Sequence, residues 1–218
     1  MERSSLTVTK ALIIICIVVH LVGMVRQVPM DSNPSVLEPF FLKYGAFSWR
    51  SCIEQAELWR FISYQFVHGG LGHLVFNMWA LFFFGPAIEN IMGPRKFLAF
   101  YLVCGIAGAL FSALLGWGLL YGHGWEGVRM IGASASIYGV MIATAFLYPN
   151  ASISLFFPPV TMTMRTFALI VIGIATAVIL TNGNNAGGEA GHLGGVIMGL
   201  IIMSIWKWRI RNRYRSYK

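Results

Sequence analysis

Two residues whose types together can perform nucleophilic catalysis lie far apart in this sequence, Ser134 and His192. A serine hydroxyl becomes a nucleophile when a base removes its proton, and an imidazole, with an ordinary pKa of about 6.5, can act as that base at neutral pH. Glu189 is the one acidic residue near His192 in sequence, but it precedes the last long apolar run. The sequence therefore favours a Ser–His dyad over a triad, with Glu189 as a weaker candidate for a third member.

Acyl transfer by a serine also requires hydrogen-bond donors for the negative oxygen of the tetrahedral intermediate. His73 and Asn77 offer an imidazole N–H and an amide NH₂, and because they are four residues apart they would share one face of a helix. The backbone N–H of Ser134 adds a third donor near a helix start, where amides lack partners. These groups are the predicted oxyanion-binding set. Their alternative role is to hydrogen-bond neighbouring helices together.

The composition places these residues in a membrane protein. Of 218 residues, 57% are hydrophobic and only 11% are charged, and the mean hydropathy is +0.69. A helix needs about 20 apolar residues to cross a hydrocarbon core of about 30 Å, so the chain has room for about six spans and little else. The apolar runs predict an all-α membrane protein forming a single domain over 1–218, with spans near 11–28, 71–88, 97–120, 132–148, 166–181 and 190–206.

Basic charge is distributed unevenly about these spans. Of the 16 lysines and arginines, eleven fall on the side that holds both termini, six of them in the tail from Lys207 to Lys218. The positive-inside rule then places both termini in the cytoplasm, which requires an even number of spans. We interpret the net charge of +8 as this topological anchor rather than as a nucleic-acid surface, so no nucleic-acid partner is expected.

No cofactor or metal is expected from the sequence. Cys16, Cys52 and Cys104 are far apart and indicate neither a disulfide framework nor a metal cluster. A Ser–His dyad needs no cofactor.

The topology predicts where the polar residues meet. Spans two, four and six would all run from outside to inside, so their N-terminal ends would share the outer leaflet. His73 and Asn77 lie near the start of span two, Ser134 near that of span four and His192 near that of span six. Polar groups at membrane depth are costly and usually face the bundle interior, a partner or a water-filled cavity. We therefore expect one functional cluster at one depth.

Span four lies between Gly132 and Pro149, so its helix would cover only about 25 Å. It cannot reach both faces of the bilayer, and Ser134 would be recessed below the outer surface but reachable by water. Close approach of span six to span four is predicted by glycines that recur every four residues, Gly191, Gly195 and Gly199. The long outer segment between spans one and two is rich in aromatic residues, and we expect short interfacial helices there.

In their order and spacing, these motifs resemble those of the rhomboid family of intramembrane proteases, over nearly the whole chain. Gly132-Ala133-Ser134-Ala135 is similar to the family's nucleophile motif Gly-x-Ser-Gly, and the run from His73 to Asn77 is similar to its oxyanion motif His-x-x-x-Asn. His192 with Gly195 and Gly199 is similar to the family's base motif His-x-x-Gly-x-x-x-Gly. Glu57-Leu58-Trp59-Arg60 resembles the Trp-Arg element of its first outer loop.

The resemblance implies a six-helix bundle with a long outer loop between helices 1 and 2. It also implies that Tyr138 stacks under the His192 ring and that Glu89 is a structural acid at the inner end of span two. Two positions depart from the family pattern: Ala135 replaces the second glycine of the nucleophile motif, and Gly191 stands where alanine is usual. Both substitutes are small, so packing need not fail.

The function implied is an endopeptidase that cuts single-span or polytopic membrane proteins near the outer leaflet, in a bacterial inner membrane. Small residues beside the scissile bond and helix-destabilising residues nearby are expected in its substrates. One alternative is a catalytically silent rhomboid-like protein that binds membrane clients. Another is a transporter, which would distribute polar groups through the membrane depth. Among the other histidines, His68 is expected to support the outer loop, and His20 and His123 match no motif.

Overall fold

Helices dominate the fold, as the apolar runs predict. A computed structural model describes residues 6–30, 37–116, 129–155, 159–181 and 183–215. Four of its helices are long and apolar enough to cross a membrane: α1 (Val8–Val25), α5 (Leu71–Met92), α6 (Pro94–Leu114) and α9 (Ala186–Arg215). Two shorter apolar helices complete the predicted set: α7 (Ser134–Leu147) and α8 (Met164–Leu180).

Each of the six apolar helices overlaps one predicted span. The largest difference is at α9, which was expected over 190–206 but begins at Ala186 and continues to Arg215. Low-hydropathy residues at both of its ends are helical, and apolar-run reading stops short of such residues. The predicted end of span three, at 120, falls outside the described residues.

Short strands accompany the helices of this mostly helical fold. Two antiparallel pairs of three-residue strands are present, β1 (Gln27–Pro29) with β2 (Leu37–Pro39) and β3 (Ser152–Ser154) with β4 (Thr161–Thr163). Strands this short carry too few residues for a two-residue hydrophobic alternation to be recognised in sequence. Both pairs lie between helices.

The segment between α1 and α5 contains three short helices and a 3₁₀ turn: α2 (Phe40–Gly45), α3 (Trp49–Ile53), α4 (Arg60–Ser63) and the turn Tyr64–Phe66. The buried Arg60 side chain fastens it, because its Nη1 donates to the carbonyl oxygens of Lys43 and Ala46 at 2.9 and 2.8 Å. Its Nε donates to the Glu57 carboxylate at 2.6 Å. The Trp-Arg element is therefore a structural clamp within this segment.

Gln65 anchors the same segment to the helix bundle. The hydroxyl of Ser136 on α7 donates to Gln65 Oε1 at 2.9 Å, and the Tyr64 hydroxyl donates to the carbonyl of Gly105 on α6 at 2.6 Å. A Cβ at Gly105 would overlap the amide group of the Gln65 side chain, so a larger residue there would have to displace Gln65. The 3₁₀ turn is thereby held against α6 and against α7, the helix that begins at the predicted nucleophile.

Helix α7 lies at the centre of the bundle. It has 14 residues, nine of which are buried, and its length of about 21 Å is less than a hydrocarbon core of about 30 Å. The expected short fourth helix is therefore present. Because Ser134 is its first residue, the fold places this serine at the start of a short, enclosed helix.

Near the C-terminal end of α5, Glu89 caps the first turn of α1. Its buried carboxylate accepts from the backbone N–H groups of Val8 and Thr9 at 2.7 and 2.8 Å and from the Thr9 hydroxyl at 2.6 Å. These amides lack partners within α1, because they stand in its first turn. The expected structural acid thus acts as a helix cap supplied by another helix.

Candidate functional site

Ser134 and His192 lie in hydrogen-bond contact although 58 residues separate them. The distance between Ser134 Oγ and His192 Nε2 is 2.7 Å. Ser134 begins α7, and His192 lies in the second turn of α9. This is the arrangement in which an imidazole can take a proton from a hydroxyl.

Glycines in α9 allow this approach. A Cβ at Gly195 would lie 2.0 Å from the backbone oxygen of Ala135, and one at Gly199 would lie 2.9 Å from that of Gly139. These two glycines therefore bring the backbones of α7 and α9 together. Gly191, the third member of the predicted series, instead faces Met130, whose terminal methyl lies 2.4 Å from a Cβ built there.

Ala135, which replaces a glycine of the family's nucleophile motif, packs against Gly108 of α6. Ala135 is buried, and its methyl group would lie 2.6 Å from a Cβ built at Gly108. Since Gly108 has no side chain, the extra methyl of Ala135 fits. The site therefore accepts alanine after the predicted nucleophile without separating α6 from α7.

Glu189 is closer to the site than the sequence indicated. Because α9 begins at Ala186, Glu189 lies in the first turn of this helix and not in the loop that precedes it. It stands one turn before His192. Its Oε2 is 2.9 Å from His192 Nδ1, and the two side chains are only 18% and 13% exposed. The sequence offered Glu189 only as a weaker candidate for a third member, because hydropathy placed the start of the helix after this charge.

Tyr138 packs against the other face of the site histidine. Its ring centroid lies 4.1 Å from that of His192, and the ring planes differ by 13°. Tyr138 is one turn beyond Ser134 on α7, so one helix supplies both the hydroxyl and the stacking ring. The stack restricts rotation of the imidazole.

The predicted oxyanion donors lie beside the serine. A Cβ at Gly132 would lie 2.7 Å from His73 Nε2 and 3.8 Å from Ser134 Oγ, so the His73 ring reaches the backbone next to Ser134. Asn77 donates one amide hydrogen to the carbonyl of His73 at 2.8 Å. An amide NH₂ has two hydrogens, and the second has no hydrogen-bond acceptor among the residues that the structure describes.

Gly132 is required by both backbone shape and space. Its φ of +108° is one that L side chains rarely adopt, and the His73 ring occupies the position of a side chain. The residues before α7 are held by the segment between α1 and α5, since Gly132 N donates to Tyr64 O at 2.9 Å and Met130 forms an isolated β-bridge with Phe47. The segment between α1 and α5 therefore fixes the start of α7.

An open cavity of about 1040 Å³ contains these groups. Arg129 lines its mouth and pairs with the buried Glu38 of β2. Its lining residues include Ser134, His192, His73, Asn77 and Tyr138. Neither Arg129 nor Glu38 was singled out in the sequence, because nothing in the pattern indicates that a residue of β2 approaches the segment before α7.

His68, His20 and the three cysteines are not part of the Ser134–His192 contact. Burial lowers the pKa of His68 to about 4, and the nearby His73 adds to the lowering; the two rings are 5.1 Å apart. His20 lies towards the C-terminal end of α1, and His123 falls outside the described residues. Within the described ranges no group of three potential metal ligands comes together, and Cys16, Cys52 and Cys104 are buried free thiols.

Apolar helices surrounding a recessed polar cavity are the architecture of a multi-pass membrane protein. Comparison with known proteins assigns the family: a rhomboid domain matches residues 55–209, more than half of the chain. The chain belongs to the rhomboid family.

Individual relatives include both proteases and an inactive protein. Rhomboid protease AarA of Providencia stuartii is 29% identical over 206 residues, which cover 91% of this chain and 72% of AarA. Rhomboid protease GlpG of Haemophilus influenzae is 31% identical over 148 residues, which cover 68% of this chain and 69% of GlpG. Inactive RHOMBOID-like protein 8 of Arabidopsis thaliana is 37% identical over 70 residues, which cover 32% of this chain and 20% of that protein.

Several matched relatives are longer than this chain, which spans between 26% and 72% of the length of three of them. Since active and inactive proteins are both similar to it, activity has to be argued from the site.

Proposed function

We propose that this chain is an intramembrane serine endopeptidase in which Ser134 is the nucleophile and His192 the general base. The observation that carries the proposal is the contact of 2.7 Å between Ser134 Oγ and His192 Nε2 inside a cavity of about 1040 Å³. A serine placed in a membrane helix for structural reasons bonds back to a carbonyl of the preceding turn. Here the hydroxyl meets an imidazole of another helix instead.

The reaction proceeds through an acyl-enzyme. His192 Nε2 takes the proton of Ser134 as Oγ attacks the scissile carbonyl carbon, and the carbonyl oxygen becomes an oxyanion. The peptide C–N bond then breaks, and the protonated imidazole gives its proton to the leaving nitrogen. Water attacks the ester in a second round with the same base, which releases the new carboxyl terminus and restores Ser134.

Three donors converge on the oxyanion: the His73 imidazole, the free amide hydrogen of Asn77 and the backbone N–H of Ser134. The last is at the first position of α7, where an amide has no partner within its helix. Donors preorganised in a site shielded from bulk water are worth more than in water, since they need no reorganisation during the reaction.

The substrates are membrane proteins, single-span or polytopic, cut near the outer leaflet. Helical peptide bonds are shielded by their own hydrogen bonds, so a segment with helix-destabilising residues has to unwind before it enters the cavity. Small residues beside the scissile bond are expected from the family resemblance.

The six apolar helices are proposed as six spans in a bacterial inner membrane, with both termini in the cytoplasm. The charge asymmetry of eleven basic residues against five supports this orientation. Helices α5, α7 and α9 then begin in the outer leaflet, where His73, Ser134 and His192 stand.

The test compares wild type, Ser134→Ala and His192→Ala, purified in detergent and in liposomes, on single-span reporter substrates. Wild type should cut, and both variants should lose activity by at least about 10³-fold while keeping the wild-type melting profile. A fluorophosphonate probe should label wild type at Ser134 alone.

Cleavage by Ser134→Ala at the wild-type rate would refute the assignment of the nucleophile. A wild type that cuts none of several reporters and takes up no probe, but retains a reporter in a pull-down, would support a catalytically silent client-binding protein. Inactive RHOMBOID-like protein 8 provides a precedent among the relatives.

A further inference from the structure

We propose that Glu189 is a positioning residue for His192, so that this chain uses a Ser–His–Glu relay rather than a bare dyad. The inference deepens the proposed function and rests on it. Its basis is geometric: the Glu189 carboxylate contacts His192 Nδ1 at 2.9 Å while Nε2 of the same ring contacts Ser134 Oγ at 2.7 Å.

The carboxylate determines which ring nitrogen carries the proton. An ionised carboxylate can only accept hydrogen bonds, so the Nδ1 that faces it must be the protonated nitrogen. The neutral imidazole then presents a bare lone pair at Nε2, which is the atom that faces Ser134. Without Glu189, no described contact of His192 selects this tautomer, because the Ser134 hydroxyl can donate or accept and Tyr138 meets the ring through its face.

The position of Glu189 favours a negative charge. It is the acidic residue in the first turn of α9, where unpaired N–H groups and the helix dipole attract anions. Arg129, the one arginine or lysine among the described residues that line the cavity, pairs with Glu38 of β2. The Glu189 carboxylate contacts His192 instead.

Other titratable groups that face His192 come from different helices. Tyr138 approaches from α7 and His73 from α5. Neither is an anion at neutral pH, so Glu189 is the only negative partner of the ring among the residues that the structure describes.

Glu189 acts when the imidazole becomes charged. The proton of Ser134 moves to His192 Nε2, and the ring, now protonated at both nitrogens, is an imidazolium paired with the carboxylate. Glu189 neither gains nor loses a proton in this step. It stabilises the charged intermediate and prevents the ring from flipping, as the buried acid does in a serine-protease triad.

The experiment compares Glu189→Ala, Glu189→Gln and Glu189→Asp with wild type in kcat, KM and the rate of fluorophosphonate labelling, with and without added formate. Glu54→Gln is the matched control, because Glu54 is an exposed acid that pairs with Arg50 and is not among the residues lining the cavity. We expect Glu189→Ala to lower kcat and the labelling rate by roughly 10- to 100-fold with KM nearly unchanged. Formate should restore part of the loss in Glu189→Ala but not change the control.

The Gln variant separates charge from packing, because it is nearly isosteric with Glu. Glu189→Gln should melt like wild type and still lose kcat, whereas Glu189→Asp should retain more activity than Glu189→Ala. The proposal is overturned if Glu189→Gln keeps the kcat of wild type. It is also overturned if formate restores no activity to Glu189→Ala and Glu189→Gln loses none. A wild type that neither cuts nor reacts with the probe would instead refute the proposed function itself.

Discussion

The two ends of α5 each carry polar residues, but they use them differently. At its C-terminal end, which is the inner end in the proposed orientation, Glu89 accepts three hydrogen bonds from α1 and is 6% exposed. Towards its N-terminal end, the outer end in that orientation, Asn77 donates one amide hydrogen to the His73 carbonyl, and the side chains of both residues line a cavity of about 1040 Å³. One helix therefore holds a closed polar site and an open one.

The difference separates structural from functional polarity. A buried polar group that has all its partners contributes to stability, and removing it leaves those partners unsatisfied. A polar group that keeps a donor free beside a cavity stabilises the fold less and is available to a ligand. Substitutions at the two ends should thus affect different measurements.

The largest effect is expected at the outer end. Asn77→Ala should lower kcat by roughly 10²- to 10³-fold, because one donor to the oxyanion is lost. KM and the melting temperature in detergent should change little. Val75→Ala is the control on the same helix, since Val75 is 54% exposed and outside the cavity lining. If Asn77→Ala has a much lower melting temperature but retains its kcat, Asn77 is a structural residue, as Glu89 is.

A smaller effect is expected at the inner end. Glu89→Gln replaces one acceptor oxygen by an NH₂ group and should lower the free energy of unfolding by about 1–3 kcal/mol, because donors at the start of α1 lose their acceptor. The kcat of the folded protein should stay within about twofold of wild type. Thr9→Val provides the second side of a double-mutant cycle, and the two changes should be less than additive. Full additivity would mean that the contact contributes no coupling.

The smallest effect concerns His68, which precedes α5 beside the open end. Its pKa is about 4 in the folded protein, whereas an unfolded histidine titrates at about 6.5. Between these values only the unfolded chain binds the proton at this site, so stability falls as the pH is lowered from about 6.5 to about 4. His68→Gln should reduce this slope, measured as melting temperature at several pH values. Identical slopes for the two proteins would show that His68 does not contribute to it.

Much of the bundle was predictable because the bilayer imposes it. Runs of about 20 apolar residues predict the long helices. His73, Ser134 and His192 lie near the starts of α5, α7 and α9, and they line one cavity, as their places in the predicted spans led us to expect. The close approach of Ser134 and His192 was predicted from the glycines of α9, which let its backbone pack closely against that of α7. In these respects the site was readable from residue types and spacing.

Other parts of the site were not readable, and the reason is physical. Glu189 was set outside its helix because hydropathy cannot tell a polar first turn of a helix from a loop. Gln65 and Ser136 meet across 71 residues through a 3₁₀ turn that carries no periodic pattern. Gly108, which accommodates Ala135, is one of 24 glycines, and only the packing of α6 against α7 distinguishes it.

The cap on α1 also sets an order of events in biosynthesis. Thr9 and Glu89 are 80 residues apart, and at about 5–20 residues per second the ribosome needs roughly 4–16 s to make the intervening chain. During that time α1 resides in the bilayer without the acceptor for its first amides. Only four of its 18 residues are buried in the finished fold, so lipid is already the solvent for most of its surface. Helix α1 can therefore wait in the membrane with little change in its surroundings until the inner end of α5 arrives and docks it.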